Sequence, residues 1–285
     1  MIDINKYRLK KILQTILIYF FLMILICVVF FPVFWMISIS LRLNIEATII
    51  PPTIFPNVFT LDNFKNQIND KGGFLVYFRN GIIVSGSVTL ISLIVATLAG
   101  YSFSRFKFKG QRPILLFMLA SQMFPAVLLV ISIYVIYTRL NLLNTYLGLI
   151  LAFTSFALPF SIWMIKGFCD SVPKEIEEAA YVDGCSKMAT LIKIVLPMIK
   201  PGIIAVGLYS FLVAWNNLLF ALTLAAKQDR WTIPPGFLQL YTGEFQYYWS
   251  EAFAGSVIVT VPLIIVFIVF QKYLVSGLTA GAVKE

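Results

Sequence analysis

The sequence contains no histidine, and only 12% of its 285 residues are charged. Without imidazole there is no His-based triad, no His-ligated metal and no His proton shuttle. The three cysteines, Cys27, Cys169 and Cys185, fit no zinc spacing, and an odd number completes no disulfide framework. Cys27 falls in an apolar run and reads as a small buried hydrophobe. Soluble domains carry about 25% charged residues. Half that charge is too little to cover a soluble surface, and 60% of this chain is hydrophobic. A polytopic membrane protein remains, its apolar exterior covered by lipid.

Six stretches are long and apolar enough to span a bilayer as helices: 12–39, 81–100, 113–136, 146–165, 201–223 and 254–271. None contains Asp, Glu, Lys or Arg. The first is too long for a signal-peptide core and has no A-x-A site after it, so it reads as a retained anchor.

The cations are unevenly shared among the connections. On one side fall Lys6, Arg8, Lys10 and Lys11, then Arg105, Lys107, Lys109 and Arg112, then five over 166–200, and finally Lys272 and Lys284. The other side has seven: Arg42, Lys65, Lys71, Arg79, Arg139, Lys227 and Arg230. The positive-inside rule therefore places both termini in the cytoplasm. It also accounts for the net charge of +9 without a nucleic-acid partner. The outer connections are rich in Pro and aromatics (Pro51-Pro52, Trp231, Tyr241, Tyr247-Tyr248-Trp249), which suits an interfacial belt or a contact surface for an external partner.

Spans without an ionisable group offer no proton-binding site, which argues against a proton-coupled carrier. No G-x-x-x-x-G-K-[ST] phosphate loop occurs, so ATP is not bound in that way and uphill movement needs energy from another subunit. No nucleophile–base set or paired carboxylates point to an enzyme. The spans do hold neutral polar groups. Most Ser and Thr there serve helix packing. Gln122, Tyr209, Trp215, Asn216 and Asn217 offer amides and stacking faces that suit a neutral polyhydroxyl solute lining a translocation path.

The connection after the fourth span reads as two short helices. Ser171 is a plausible N-cap with Pro173 in the first turn. Glu175, Glu177 and Glu178 lie near the positive end of the helix dipole. Gly184 can take the left-handed conformation that ends a helix, and Ser186 can cap a second helix running to the Leu196-Pro197 break. Five of the thirteen acids lie within 170–183. Such a pair presents either a compact cytoplasmic knob or an amphipathic connector lying on the membrane.

The run Glu178-Ala179-Ala180, Asp183-Gly184, Ile194, Leu196-Pro197 and Pro201 resembles the EAA loop of binding-protein-dependent ABC importer permeases. Asn80-Gly81 at the second span, Trp215-Asn216-Asn217 through Leu222, and 277–284 at the C-terminal end are similar to the carbohydrate branch, most of all to the smaller, six-span permease of the maltose-type transporter. Asn217 stands where many relatives have an acid, and Cys185 where a small residue is usual.

The resemblance implies an all-α, type I importer permease fold and a prokaryotic plasma membrane location. It divides the chain into a cytoplasmic tail at 1–11, a first span at 12–39 and an extracytoplasmic connection at 40–80. A five-helix core follows at 81–272, with the coupling loop at 170–200, and then a cytoplasmic tail at 273–285. It implies no cofactor in this chain, with ATP bound by two partner ATPase subunits. The other implied partners are a second permease subunit, an extracytoplasmic binding protein, a sugar and membrane lipid. Glu178, Ala179, Ala180, Asp183 and Gly184 would form the helix that docks on the ATPase. The alternatives are a permease for another small polar solute, such as a glycerol phosphate or a polyamine, or a secondary carrier.

Overall fold

A computed structural model describes residues 4–69, 73–241 and 248–282. Tyr247 of the outer aromatic group, Lys71 and Lys284 of the charge count, and the end of the C-terminal run fall outside these residues. The described residues are helical, with no strand among them. In chain order the helices are α1 (Ile4–Ser40), α2 (Asp62–Ile68), α3 (Phe74–Arg105), α4 (Gln111–Ser121), α5 (Ala126–Arg139), α6 (Tyr146–Asp170), α7 (Lys174–Val182), α8 (Lys187–Thr190), α9 (Leu196–Met198), α10 (Lys200–Trp215), α11 (Leu219–Leu224), α12 (Ile233–Tyr241) and α13 (Trp249–Ala282).

The chain divides into two compact units, one of residues 1–71 with 241–258, the other of 72–240 with 259–285. In the first unit, α1 contributes a 30-residue apolar stretch, Lys11–Ser40, with no buried residue in its most apolar window. At about 1.5 Å rise per residue this exceeds the roughly 30 Å of a hydrocarbon core. Cys27 is exposed on this helix, not buried as its apolar setting suggested, because residues 11–34 of α1 are all exposed.

The Pro-rich connection after α1 is held by buried polar groups. Arg42 donates from Nε to the Ser38 carbonyl (3.2 Å), from Nη2 to Ser38 Oγ (2.6 Å) and from Nη1 to the Thr53 carbonyl (3.2 Å). The Glu46 carboxylate accepts the amides of Asn57 (3.0 Å) and Val58 (3.1 Å). Asn63 Nδ2 donates to the carbonyls of Ser40 and Arg42.

The second unit is built on α3, α6 and α10, which pack most extensively against one another. Apolar burial gives helices little reason to associate in lipid, so close packing and small residues must do it. Ala96, Ala152, Ala157 and Ala214 are buried at these contacts, and the Ser161 and Ser210 hydroxyls lie 3.2 Å apart between α6 and α10. Gly100 of α3 lies so close to α6 that a Cβ there would meet Ile165 at 2.8 Å.

Among the described residues, four helices are long and apolar enough to cross a membrane, and two bent pairs bring the total to six if each pair counts as one span. The first of these bends, and a separate break after α10, correct two expectations of continuous helices. Over 113–136 the chain turns by 99° between α4 and α5. Pro125 lacks the N–H a through-helix needs, and Gln122, Met123 and Phe124 close tight turns onto the carbonyls of Leu119, Ala120 and Ser121. Over 201–223 the helix stops at Trp215, and α11 starts afresh at Leu219. Asn217 Oδ1 accepts the Phe220 amide at 3.1 Å, so the amide side chain competes with the helical backbone and caps the new turn.

Candidate functional site

The connection between α6 and α10 forms a helix, a corner and a second helical stretch. Ser171 ends α6, its hydroxyl donating to the Phe168 carbonyl, and Pro173 is the N-cap of α7. The start therefore falls two residues later than the Ser171 cap predicted. Glu175 and Glu177 occupy the first turn, at the positive end of the helix dipole.

The end of α7 agrees with the sequence. Gly184 has φ +84°, its amide donates to the Tyr181 carbonyl (3.1 Å), and the Cys185 amide donates to the Ala180 carbonyl (2.9 Å). This is a Schellman closure, which requires a left-handed residue where Gly184 stands. Ser186 then caps α8, its Oγ accepting the Ala189 amide. The second stretch does not stop at Pro197. It widens into a π turn at Leu191–Val195, which leaves room for a proline without an N–H, and runs on through Met198. The 83° change of direction comes at Ile199, before α10.

Exposure separates the two faces of α7. Glu178, Ala179, Asp183 and Gly184 are exposed, and Val182 is 88% exposed at the tip. Ala180 and Glu177 are buried one turn apart on the opposite face. Of the five residues expected at a docking surface, Ala180 thus faces the core. Leu191, Val195 and Ile199 of the second stretch pack in one cluster with Ala96, Ile165 and Val206, which seats the corner on α3, α6 and α10.

The polar residues expected in a path are only partly brought together. Gln122 Nε2 donates to the Phe156 carbonyl at 3.2 Å, and the Phe156 ring lies 4.6 Å from that of Phe220, next to the cap formed by Asn217. Tyr209 is half-buried, its ring 4.7 Å from Phe160. Asn216 is exposed. Trp215 turns toward α3, stacked on Phe211 and edge-on to Phe78, with its indole N–H buried and unpartnered. A cavity of about 270 Å³ lies between α3, α10 and α13, lined by Leu93, Gly207, Phe211 and Phe270 among others. Its lining is almost wholly apolar, so it does not suit a polyhydroxyl solute.

Sequence reasoning missed two positions. Asn80 is fully buried, and its Nδ2 donates to the carbonyls of Asp229 (2.9 Å) and Trp231 (2.8 Å). Arg105 pairs with Glu177 beneath the corner. Asn80 entered only through the family resemblance and Arg105 only through the charge count, and the one further signal was the three-residue spacing of Glu177 and Ala180.

A bundle of helices long and apolar enough to cross a membrane, with one exposed, sharply turned helix on a connection, defines an integral membrane protein. The family described as "binding-protein-dependent transport system inner membrane component" matches residues 89–280, and the chain belongs to it. A sulfoquinovosyl glycerol transport system permease from Agrobacterium fabrum is 36% identical over 254 residues, covering 89% of this chain and 88% of that protein. A trehalose/maltose transport system permease from Thermococcus litoralis is 36% identical over 277 residues, covering 97% and 98%. Among solved structures, a chain of a bacterial ABC transporter involved in alginate import superposes with a TM-score of 0.75 at 23% identity, covering 94% of this chain and 97% of that one. That likeness bears on the fold alone.

Proposed function

We propose that this permease is one of two in an ATP-driven importer of a sugar or oligosaccharide. It crosses the membrane six times, over 12–39, 81–100, 113–136, 146–165, 201–223 and 254–271, with both termini cytoplasmic. The expected partition follows: a tail at 1–11, an outer connection at 40–80, a core at 81–272 with the coupling loop at 170–200, and a tail at 273–285. Two ATPase subunits bind ATP below, and an external binding protein delivers solute from above.

The observation that carries this reading is the exposed corner of α7, with Glu178, Ala179, Val182, Asp183 and Gly184 on its free surface. A rigid, capped corner can enter a cleft on an ATPase subunit and move with it when ATP closes the pair, which rocks the spans between inward- and outward-facing states. Support for a sugar comes from the relatives' names, which include trehalose/maltose, diacetylchitobiose and maltodextrin transport. Helices α4 and α5 bury no residue, which suits a face covered by a second permease and lipid. Gln122, Tyr209, Trp215, Asn216 and Asn217 are the proposed path residues, with Gln122 and Asn217 linked through the Phe156–Phe220 ring contact.

The test is uptake into proteoliposomes holding the complex of this chain with its permease, ATPase and binding-protein partners. The panel is trehalose, maltose, maltodextrin, glycerol phosphate and a polyamine. ATP-dependent uptake of one of the three sugars is expected. Uptake of glycerol phosphate or the polyamine alone, or uptake that persists without the ATPase subunits, would refute the reading.

A further inference from the structure

A buried polar chain ties α7 to the end of α3. Arg105 is the last residue of α3, and Glu177 lies in the first turn of α7. Their side chains are 8% and 4% exposed, and Arg105 Nε donates to Glu177 Oε1 at 2.5 Å. The second carboxylate oxygen accepts the Tyr101 hydroxyl at 2.7 Å. Arg105 Nη2 donates to the Val172 carbonyl (2.9 Å), in the turn between α6 and α7, and Nη1 to Ser104 Oγ (3.0 Å). Ser104 in turn donates to Asp170 Oδ1 (2.6 Å), at the end of α6. Three helix ends thus meet in one continuous network.

Stability does not account for this arrangement. A buried ion pair often stabilises no more than apolar side chains of the same size. By contrast, Lys65–Asp62 lies fully at the surface, where a pair does little. Ala180 and Val172 already give α7 an apolar seat. Apolar contact is non-directional, however, and lets a short helix roll or slide. Tyr101 and Arg105 stand four residues apart on one face of α3, and each holds one oxygen of the same carboxylate. That fixes both the rotation and the depth of α7. With Glu177 locked inward, its neighbour Glu178 is held outward.

We propose that Arg105 and Tyr101, acting through Glu177, are positioning residues that join α7 and the end of α3 into one rigid lever. A displacement of the corner at 182–184 then reaches the second span undiminished. The inference rests on the reading of that corner as the ATPase docking point.

The test uses the complete complex in proteoliposomes and the panel sugar that the unaltered complex carries. Arg105→Met combined with Glu177→Leu removes both charges and leaves no unpaired ion buried. Assembly and thermal stability should stay near those of the unaltered complex, and ATP hydrolysis should continue. Uptake per ATP hydrolysed should fall roughly five- to tenfold, the lower end of the range of an allosteric coupling. Arg105→Lys, which keeps the charge but not the forked donor, should recover part of the ratio. Unchanged uptake per ATP in the double variant would overturn the proposal, as would equal loss of hydrolysis and uptake, since either makes the pair merely structural. If the unaltered complex takes up no panel sugar, the transport reading itself fails.

A second measurement needs no solute. Spin labels at Leu98→Cys on α3 and Lys174→Cys on α7, both exposed, report the spacing of the two helices. In a background with Cys27 and Cys185 replaced, that spacing should not change when a non-hydrolysable ATP analogue binds. The double variant should broaden it, and where the double change prevents assembly Glu177→Gln serves instead. A spacing that shifts with nucleotide in the unaltered protein, or stays equally narrow in the variant, would overturn the lever.

Discussion

The Tyr146 hydroxyl donates to Asn80 Oδ1 across 2.7 Å, linking the first turn of α6 to α3. The same amide holds the backbone of the connection before α12 through the Asp229 and Trp231 carbonyls, and the Arg230 guanidinium lies 4.7 Å above the Tyr146 ring. One buried side chain therefore satisfies three groups from two other segments at once.

Asn80→Leu should leave the Tyr146 hydroxyl and both carbonyls short of a partner. Each unsatisfied buried group is worth about 1–3 kcal/mol. The purified protein should melt well below its parent in detergent, as followed by fluorescence-detected size exclusion after heating. Asn80→Asp should fall between the two, since it keeps one acceptor and loses the donors. A melting profile for Asn80→Leu equal to the parent's would refute this account of the connection.

Two glycines should respond oppositely to the same change. A Cβ at Gly202 would lie 2.3 Å from the Phe168 ring, whereas one at Gly167 meets nothing within 4 Å. Gly202→Ala should lower the folded yield, because the ring lies between α6 and α10 and must be displaced. Gly167→Ala should be neutral or stabilising by up to about 1 kcal/mol, the helix-propensity difference between the two residues. Comparing detergent-solubilised yields of the two variants checks this.

At the corner, the backbone conformation matters and the space does not. Gly184 has φ +84° with open space around it. Gly184→Asn should keep uptake close to normal, because Asn tolerates the left-handed region. Gly184→Val should strain the corner by roughly 1–2 kcal/mol and depress uptake while insertion stays intact. Uptake assays paired with membrane-fraction immunoblots separate the two effects.

Val182→Asp should leave the melting temperature unchanged, because the side chain is 88% exposed and packs against little of its own chain. Recovery of the ATPase subunits with the tagged permease should fall about tenfold or more, as for an apolar anchor at the centre of an interface. Equal recovery would move the docking point away from the corner.

The hydrophobic runs made the helical class and the rough placement of the spans legible before any coordinates. The Schellman corner was legible too, because Gly184 and Ser186 act within a few residues of themselves. The bends were harder to read. Pro125 and Asn217 are local signals, but each sits inside a run apolar enough to pass as continuous. The pairing of Arg105 with Glu177 was out of reach. A sequence shows that Glu177 and Ala180 share a face, yet nothing in it says which distant helix end that face meets. The same holds for Asn80, whose three partners lie 66 to 151 residues away.

The 99° turn between α4 and α5 has a consequence for hydration. On the proposed six-span topology its backbone leaves the helical ladder within the third span, and Met123 at its apex is 85% exposed. Non-helical backbone cannot lie against acyl chains, and persists at membrane depth only beside protein or a wet lumen. The elbow at 122–125 therefore marks the side of this subunit that turns away from the bilayer, and it tells where solvent or a neighbouring chain must reach inward.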